Sequence, residues 1–207
     1  PNATKLARWN GSTWSAVPGI TAPLVDTVQA LAHDPVTNTL YVGGNFTNVN
    51  GNTEADRVFG IDLDTSALVT LGNNGASDGS LNNNVYALAV DSTGAVYAGG
   101  FFTNVMNGVT TLTEADHIAK WNGSAWSALG NNGAGVGALS TIVGAIAIDA
   151  SDNVYAGGSF TNAAGILTAD YIAKWNGSAW SALGDNGSGN GALLSTGNGT
   201  AIQDILI

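Results

Sequence analysis

Cysteine is absent from this chain, so disulfide bonds, thiolate nucleophiles and zinc–thiolate sites are excluded. Basic residues are scarce: 5 of the 207 residues are Lys or Arg, against 15 Asp or Glu, and the formal net charge is −10. Contact with phosphate groups requires clustered basic side chains. We therefore predict that the chain binds neither nucleic acid nor an anionic membrane surface.

Long apolar runs are also missing, and neither a transmembrane segment nor a signal peptide is present, so no membrane insertion is predicted. Charged residues make up 10% of the chain, whereas hydrophobic residues make up 44%, which is enough for a folded core despite 29 glycines. The surface must then consist mostly of Asn, Ser, Thr and Gly. This composition favours a β-rich secreted or surface-exposed chain. Because the first residue is Pro1, we expect a processed or excised piece.

What the sequence does contain is a repeat of about 52 to 60 residues, a period typical of stacked β-blades. Its first block is YVGGNFT at Tyr41, YAGGFFT at Tyr97 and YAGGSFT at Tyr155. A second block follows each of these, most clearly as IAKWNGSAWSALG at Ile118 and at Ile172. The architecture is therefore predicted to be a series of equivalent units.

Alternating polarity and turn residues predict four strands, A to D, in each unit. Strand A is VYALAVD at Val85, strand B is the VYAGG segment, strand C is HIAKW or YIAKW, and strand D begins at the second tryptophan. The paired glycines of strand B predict a bulge or a close backbone approach. Asn-Gly between strands C and D predicts a tight hairpin. We expect its flanking tryptophans, such as Trp121 and Trp126, to pair across that hairpin.

This pattern resembles the kelch-like β-propeller family, in the form of extracellular repeat proteins of bacterial type. The resemblance rests on the glycine pair that ends strand B after an aliphatic-Tyr step, on the aromatic or aliphatic residue that closes strand C, and on the Trp before SAL in strand D. It covers nearly the whole chain. It implies an all-β propeller of four-stranded antiparallel blades, and it implies no particular chemistry, because kelch propellers include both binding proteins and enzymes.

The phase of the repeat predicts the domain organisation of this single propeller region, 1–207. The segments are strands C and D of a divided blade (1–18), three blades (19–72, 73–130 and 131–184), and a loop with strand A of the next blade (185–207). About four blades' worth, or fifteen strands, is thus expected. Because a propeller protects its edges by closing its ring, we predict an arc of a larger propeller. An imperfectly closed four-bladed ring and a dimer of two arcs are the alternatives.

Antiparallel order places the short A–B and C–D turns on one face and the long B–C and D–A loops on the other. Loops on a rigid scaffold commonly bind partners, so the long-loop face is the predicted interaction face. Its candidate residues are the repeated acids Glu54, Asp56, Glu114, Asp116 and Asp170. They either form a ring of carboxylates for a hard cation or a basic partner, or bond backbone amides and neighbouring Lys or Arg side chains.

No catalytic constellation is recognised: GASDG at Gly75 matches a nucleophile motif, but it lies in a loop without a strand-to-helix elbow. We predict a non-catalytic chain with no cofactor and no catalytic or metal-ligating residues, located outside the cell or at the cell surface. Its predicted role is a structural or adhesive module that binds a protein or glycan at the long-loop face, or itself. The alternatives are a lectin that stacks sugars on exposed tryptophans such as Trp121 and Trp175, and an enzyme whose catalytic residues lie outside this segment.

Overall fold

The computed structural model describes residues 5–193 and 202–207. Within them the chain is all-β, with 3-10 turns of three residues at Val49–Gly51 and Ala163–Gly165 as the helical elements. None of the described helices has the length and apolar character needed to cross a bilayer. The strands are β1 (Ala7–Trp9), β2 (Trp14–Ala16), β3 (Val28–Asp34), β4 (Thr39–Gly44), β5 (Val58–Asp62), β6 (Leu68–Thr70), β7 (Val85–Val90), β8 (Val96–Gly100), β9 (Val105–Asn107), β10 (Thr110–Leu112), β11 (Ile118–Trp121), β12 (Trp126–Ala128), β13 (Val143–Ile148), β14 (Val154–Gly158), β15 (Ile172–Trp175) and β16 (Trp180–Ala182).

Twelve of these strands form three four-stranded antiparallel sheets with the order β3-β4-β5-β6, β7-β8-β11-β12 and β13-β14-β15-β16. We call them the first, second and third sheets. In each, the strands pair in the order A to D that the repeat predicts, so this prediction is confirmed. The hairpin β1–β2 precedes the first sheet as a separate two-stranded sheet and corresponds to the predicted strands C and D at the start of the chain.

A second separate hairpin, β9–β10, was not predicted. It forms within the B–C loop of the second sheet, where Val105 pairs with Leu112 and Asn107 pairs with Thr110. Its turn contains Asn107 and Gly108, the same dipeptide that lies in the C–D hairpins of the second and third sheets, and Gly108 has a positive φ of 55°. Val105 is fully buried, which anchors the hairpin to the second sheet.

The predicted strand A near the end of the chain is wrong as a strand, because residues 202–207 have no regular strand partner among the described residues. Ala201, where it was predicted to begin, lies outside them. The segment still occupies the predicted place. A methyl group added to Gly157 of the third sheet would lie 2.6 Å from Ile202 and 3.0 Å from Ile205. In the same way, a methyl group added to Gly99 of the second sheet would lie against two apolar residues of β13.

Two apolar clusters lie between successive sheets, and a third joins the first sheet to the segment around Val17 and Leu24 that follows β2. Strand β7 lies between β3 and β13, so the first strands of the sheets follow one another in a row. One apolar cluster joins the first sheet to the second, with Leu71 against Trp126, and another joins the second to the third, with Leu129 against Trp180. Burial of each large apolar side chain contributes about 1.5–3 kcal/mol, so the stacking of the sheets is the main stabilising interaction.

The paired glycines of strand B produce both features predicted for them. A methyl group added to Gly100 would lie 2.0 Å from the carbonyl oxygen of Asn84, which leaves no room for any side chain. Opposite this point the register shifts between Val85 and Ala87, so that Tyr86 is an extra residue on β7. The bulge therefore lies on strand A, and the close approach lies on strand B. The first and third sheets repeat the arrangement.

Candidate functional site

The long B–C and D–A loops of each sheet touch each other, and the predicted acidic residues make the contacts. The backbone N–H of Asn104 donates to Oδ1 of Asp116 at 2.7 Å, which holds the B–C loop. The N–H of Gly137, in the D–A loop, donates to Oδ2 of the same carboxylate at 3.2 Å. Asp116 therefore joins the two loops. We call this pair of hydrogen bonds the loop clasp.

The clasp recurs in the third sheet and is reduced in the first. Asp170 accepts the backbone N–H groups of Asn162 at 2.8 Å and Gly191 at 3.1 Å. Asp56 accepts the N–H of Asn48 at 2.6 Å. Gly79 occupies the place of the second donor, since a methyl group added to it would lie 3.0 Å from Cβ of Asp56, but it makes no hydrogen bond to the carboxylate.

The predicted glutamates join the same loops by side-chain contacts. The amide nitrogen of Asn73 donates to Glu54 at 3.1 Å, and that of Asn131 donates to Glu114 at 2.9 Å. In the third repeat, Thr168 stands at the position of the glutamate in the B–C loop, and Asp185 stands at the position of the asparagine in the D–A loop. The carboxylate of this pair is therefore on the D–A loop. Each acid serves its own pair of loops. Within residues 5–193 and 202–207, no group of three or more His, Cys, Asp or Glu side chains is placed to hold one metal ion.

The basic side chains considered as partners for these acids lie elsewhere. The guanidinium group of Arg57 donates to the carbonyl and the side chain of Asn45. Lys120 and Lys174 form ion pairs with carboxylates at the A–B turns, on the other face of the sheets. The described contacts of the three long-loop aspartates are therefore to backbone amides.

A polar groove of about 680 Å³ opens on the long-loop face between the first and second sheets. Its walls come from the B–C loops of both sheets and from the D–A loop between them. Amide, hydroxyl and carboxylate groups line most of it: Thr47, Asn48, Asp56, Asn74, Asp78, Asn82, Asn104 and Thr111. Such a lining offers hydrogen bonds to hydroxyl, amide or basic groups of a ligand. Of the five predicted site residues, Asp56 alone lines this groove.

A second cavity, of about 500 Å³, lies along the row of first strands. It is lined by Gln29, Tyr86, Gly144 and Gln203, together with Ile142. The first three of these are the extra residues at the bulges of β3, β7 and β13, and Gln203 follows Ile202 in the segment 202–207. The bulges therefore turn one residue of each first strand toward a shared space. This role could not be predicted from strand alternation, because a bulge changes the side that a residue faces.

Buried ionic contacts on the short-turn face were also missed. The Asp91 side chain is 3% exposed and pairs with Lys120 at 3.0 Å, while the Tyr97 hydroxyl donates to it at 3.2 Å. Burial raises the pKa of Asp91, but hydrogen bonds from the Thr93 hydroxyl, Lys120 and two backbone amides outweigh burial and hold that pKa below its ordinary value. The signal was present in the sequence as an Asp, a Tyr and a Lys recurring at the same places in two repeats.

The equivalent Asp149 is more exposed and is hydrogen-bonded more densely. The Asn153 side chain, backbone N–H groups of Asn153 and Ser151, and the Tyr155 hydroxyl all donate to it. The bond from the Asn153 side chain is the largest influence, and together these bonds lower the pKa of Asp149 to about 2. At neutral pH, the A–B turns of the second and third sheets are therefore held by hydrogen bonds to the ionised carboxylates of Asp91 and Asp149.

The tryptophans pair across their hairpins as predicted, with Trp121 opposite Trp126 and Trp175 opposite Trp180. Trp121 is 7% exposed, and Trp175 is half-buried against the apolar cluster between the second and third sheets. A buried indole ring cannot stack on a sugar in solution. Trp121 is therefore not available for the sugar-stacking role considered for it, and the lectin alternative loses that support.

No protein-family model and no curated protein matches the chain. Among solved structures, it is similar to the extracellular domain of BT4673 from B. thetaiotaomicron, described in one structure as a one component system and in another as a hybrid two component system. The first has a TM-score of 0.36 and 12% identity over 90% of this chain, and the second has 0.35 and 12% over 88%. The chain spans 25% of the length of each of those domains.

Proposed function

We propose that the chain is a segment of a kelch-like β-propeller that acts outside the cell or at the cell surface as a non-catalytic structural or adhesive module. Three equivalent antiparallel sheets, stacked through their apolar faces, support the propeller interpretation. The cavity along the first strands supports it as well, because first strands surround the central channel of a propeller. Residues 202–207 lie against the third sheet at the place where the innermost strand of a further blade would lie.

The observation that carries the functional proposal is the polar groove between the first and second sheets. Loops that bind partners need fixed shapes, because ordering a mobile loop on binding costs free energy. Here the loops around the groove are tied by backbone hydrogen bonds to Asp56 and Asp116. The groove thus combines loops held by hydrogen bonds with a polar lining, which is the arrangement expected of an interaction surface.

The chemistry of the lining defines the partner class. Asn, Thr and Asp side chains suit the hydroxyl groups of a glycan or the polar and basic groups of a protein segment. With a net charge of −10, the chain would repel a strongly acidic partner. A glycan bound in this groove, rather than on the hairpin tryptophans, is the second candidate.

A matched pair of substitutions tests the proposed face. Thr111→Trp places a large ring at an exposed position of the groove wall. Val36→Trp places the same ring on the short-turn face, at a residue that is 79% exposed. Binding of the labelled chain is measured on a glycan array and on a panel of extracellular proteins.

Binding by the wild type and by Val36→Trp, but not by Thr111→Trp, is the expected result. Equal binding by both variants would place the binding surface elsewhere on the molecule. Absence of binding by any correctly folded, full-length form would remove the adhesive proposal and leave a purely structural role.

A further inference from the structure

His117 occupies a strained turn just before strand β11. Its φ is 63°, and the N–H of Ile118 donates across it to the carbonyl oxygen of Asp116 at 2.7 Å. A positive φ with a hydrogen bond between residues i and i+2 defines a γ-turn of the rare, strained kind. The N–H of His117 donates to the carbonyl oxygen of Phe102, and its own carbonyl oxygen accepts from Gly100. The backbone at His117 is therefore held on both sides.

The ring of His117 is buried and lacks a partner for one of its nitrogens. His117 is 8% exposed and stacks on Phe101, with the ring centroids 6.0 Å apart and an interplanar angle of 20°. Its Nδ1 is buried and has no hydrogen-bond partner among the residues that the structure describes. An ionised imidazole has an N–H on both nitrogens. Protonation would therefore leave a buried N–H at Nδ1 without an acceptor, which costs free energy.

The charged groups beside this ring come from its own loop. Asp116 precedes His117, and Glu114 lies two residues before Asp116. The end of β8, the residues before β7 that bond to it and the D–A loop that bonds to Asp116 also lie here. No charged residue occurs in these three segments, 98–104, 80–84 and 129–142. Asp116 is therefore the anion that a proton on His117 would attract.

At neutral pH the ring of His117 is uncharged. Burial lowers the pKa of His117 below its ordinary value of 6.5. The charge of Asp116 and the backbone of Gly100 favour the protonated form, but together they do not offset burial. A mildly acidic medium therefore brings a charge into a site that is built for a neutral ring.

The carboxylate beside His117 is already engaged in the loop clasp. Asp116 accepts the backbone N–H groups of Asn104 and Gly137, so a charge on His117 competes with both donors for it. If the ring leaves its site instead, it disturbs the γ-turn that positions Asp116. Either movement weakens the clasp. Asn104 also lines the polar groove, so the wall of this groove changes with it.

We infer that His117 is a proton-sensitive switch of the second sheet: its neutral ring keeps the loop clasp closed, and proton uptake in a mildly acidic medium opens it. The equivalent γ-turns of the first and third sheets carry Arg57 and Tyr171, with φ values of 65° and 63°. Neither residue type changes its charge near pH 6. Of the three turns, that of the second sheet alone contains a residue type that titrates in this range.

The clasp should weaken as the pH falls. Because the pKa of His117 is lower in the folded protein than in the unfolded chain, the opened form binds the proton first. The stabilisation is complete above about pH 6.5 and is lost as the pH falls toward the folded value. Ordinary carboxyl groups titrate well below this range. The chain has two histidines and no cysteine, so His33 is the other side chain to control for.

Hydrogen exchange of the full chain between about pH 7.5 and about pH 5.5 tests this inference. The protection factors of the Asn104 and Gly137 amides, corrected for the intrinsic exchange rate at each pH, report on the clasp. His117→Tyr places the residue of the third sheet in the same turn and removes the titration. His33→Gln, at an exposed position, is the matched control. Circular dichroism checks that each variant folds.

Both protection factors should fall by about threefold or more over this range in the wild type and in His33→Gln, because one proton changes an equilibrium by up to about tenfold per pH unit. They should stay constant in His117→Tyr. The clasp amides of the third sheet, Asn162 and Gly191, should stay constant in all three proteins. Constant protection in the wild type, a fall that persists in His117→Tyr, or an equal fall at both clasps would overturn the inference.

An NMR titration of the wild-type imidazoles gives a second readout that does not depend on the folding of His117→Tyr. The spectrum of His33→Gln identifies the signal of His117. We expect the midpoint of this signal to lie below the ordinary histidine value of about 6.5. A midpoint at or above that value would overturn the inference, because the folded protein would then not disfavour the charged ring.

Discussion

Single carboxylates at the ends of strands stabilise this fold as anions. Asp149 has a pKa of about 2, below its ordinary value of 3.8, and the pKa of Asp34, Asp62 and Asp91 is lowered as well. Because these values are depressed in the folded state, the folded protein holds fewer protons than the unfolded chain at mildly acidic pH. Their stabilisation is complete above the ordinary carboxyl pKa and is lost as the pH falls toward the folded values.

The free energy of unfolding should therefore decrease between about pH 4 and pH 2. Asp149→Asn should flatten part of this decrease, because the asparagine has no charge to lose. Denaturant unfolding measured at several pH values checks this result, with Asp204→Asn at an exposed position as the matched substitution. Parallel profiles for Asp149→Asn and the wild type would show that the turn at Asp149 does not contribute to the pH dependence.

At the scale of the elements, the loop clasp determines how firmly the long loops are held. Asp116 accepts two backbone N–H groups from two loops, whereas Asp56 accepts one. Hydrogen bonds to charged groups contribute about 1.5–3 kcal/mol each. The loops of the first sheet are thus expected to open more readily than those of the second.

Asp116→Ala should lower the free energy of unfolding by more than Asp56→Ala does, with a difference of about 1–3 kcal/mol. Hydrogen exchange should become faster at the amides of Asn104 and Gly137 in particular. Equal losses for both variants would contradict the two-loop clasp. Thermal unfolding measured with calcium and with a chelator tests the predicted carboxylate ring, because a cation bound to the ring would raise the melting temperature of the wild type and not that of Asp116→Ala.

At the scale of the whole molecule, the sheets act as a stack in which each unit stabilises its neighbours. In such arrays a local change weakens the nearest unit most. Residues 202–207 form the last contact of this stack, with Ile202 half-buried against Gly157 and Leu206 96% exposed.

Ile202→Ser should destabilise the third sheet by about 1–2 kcal/mol, through the loss of apolar contact. Hydrogen exchange should accelerate in β14 and remain unchanged in β4, at the other end of the stack. Leu206→Ser is the matched control, and we expect it to leave both strands as they are. Faster exchange in β4 as well would show that the chain unfolds as one cooperative unit instead.

Local pattern was sufficient to predict the strands, their order and the pairing of Trp121 with Trp126. Each of these depends on residues a few positions apart: the alternation of a strand, an Asn-Gly turn, or a glycine pair with no room for side chains. The same reasoning missed β9–β10, although Asn107 and Gly108 carry the turn signal, because strands of three residues are too short to show a readable alternation. It also assigned a strand to residues 202–207, where the backbone has no regular partner.

By itself, the sequence determined the repeating unit, since hydrophobic period and turn chemistry act within one unit of the chain. Only the tertiary structure decided which surfaces those units cover. The hydrogen bond from Trp126 to Leu71 joins residues 55 positions apart, and the Asp116 clasp joins two different loops. Such contacts depend on how one sheet is placed on another. The same placement buries Trp121, leaves Trp14 exposed and opens the polar groove.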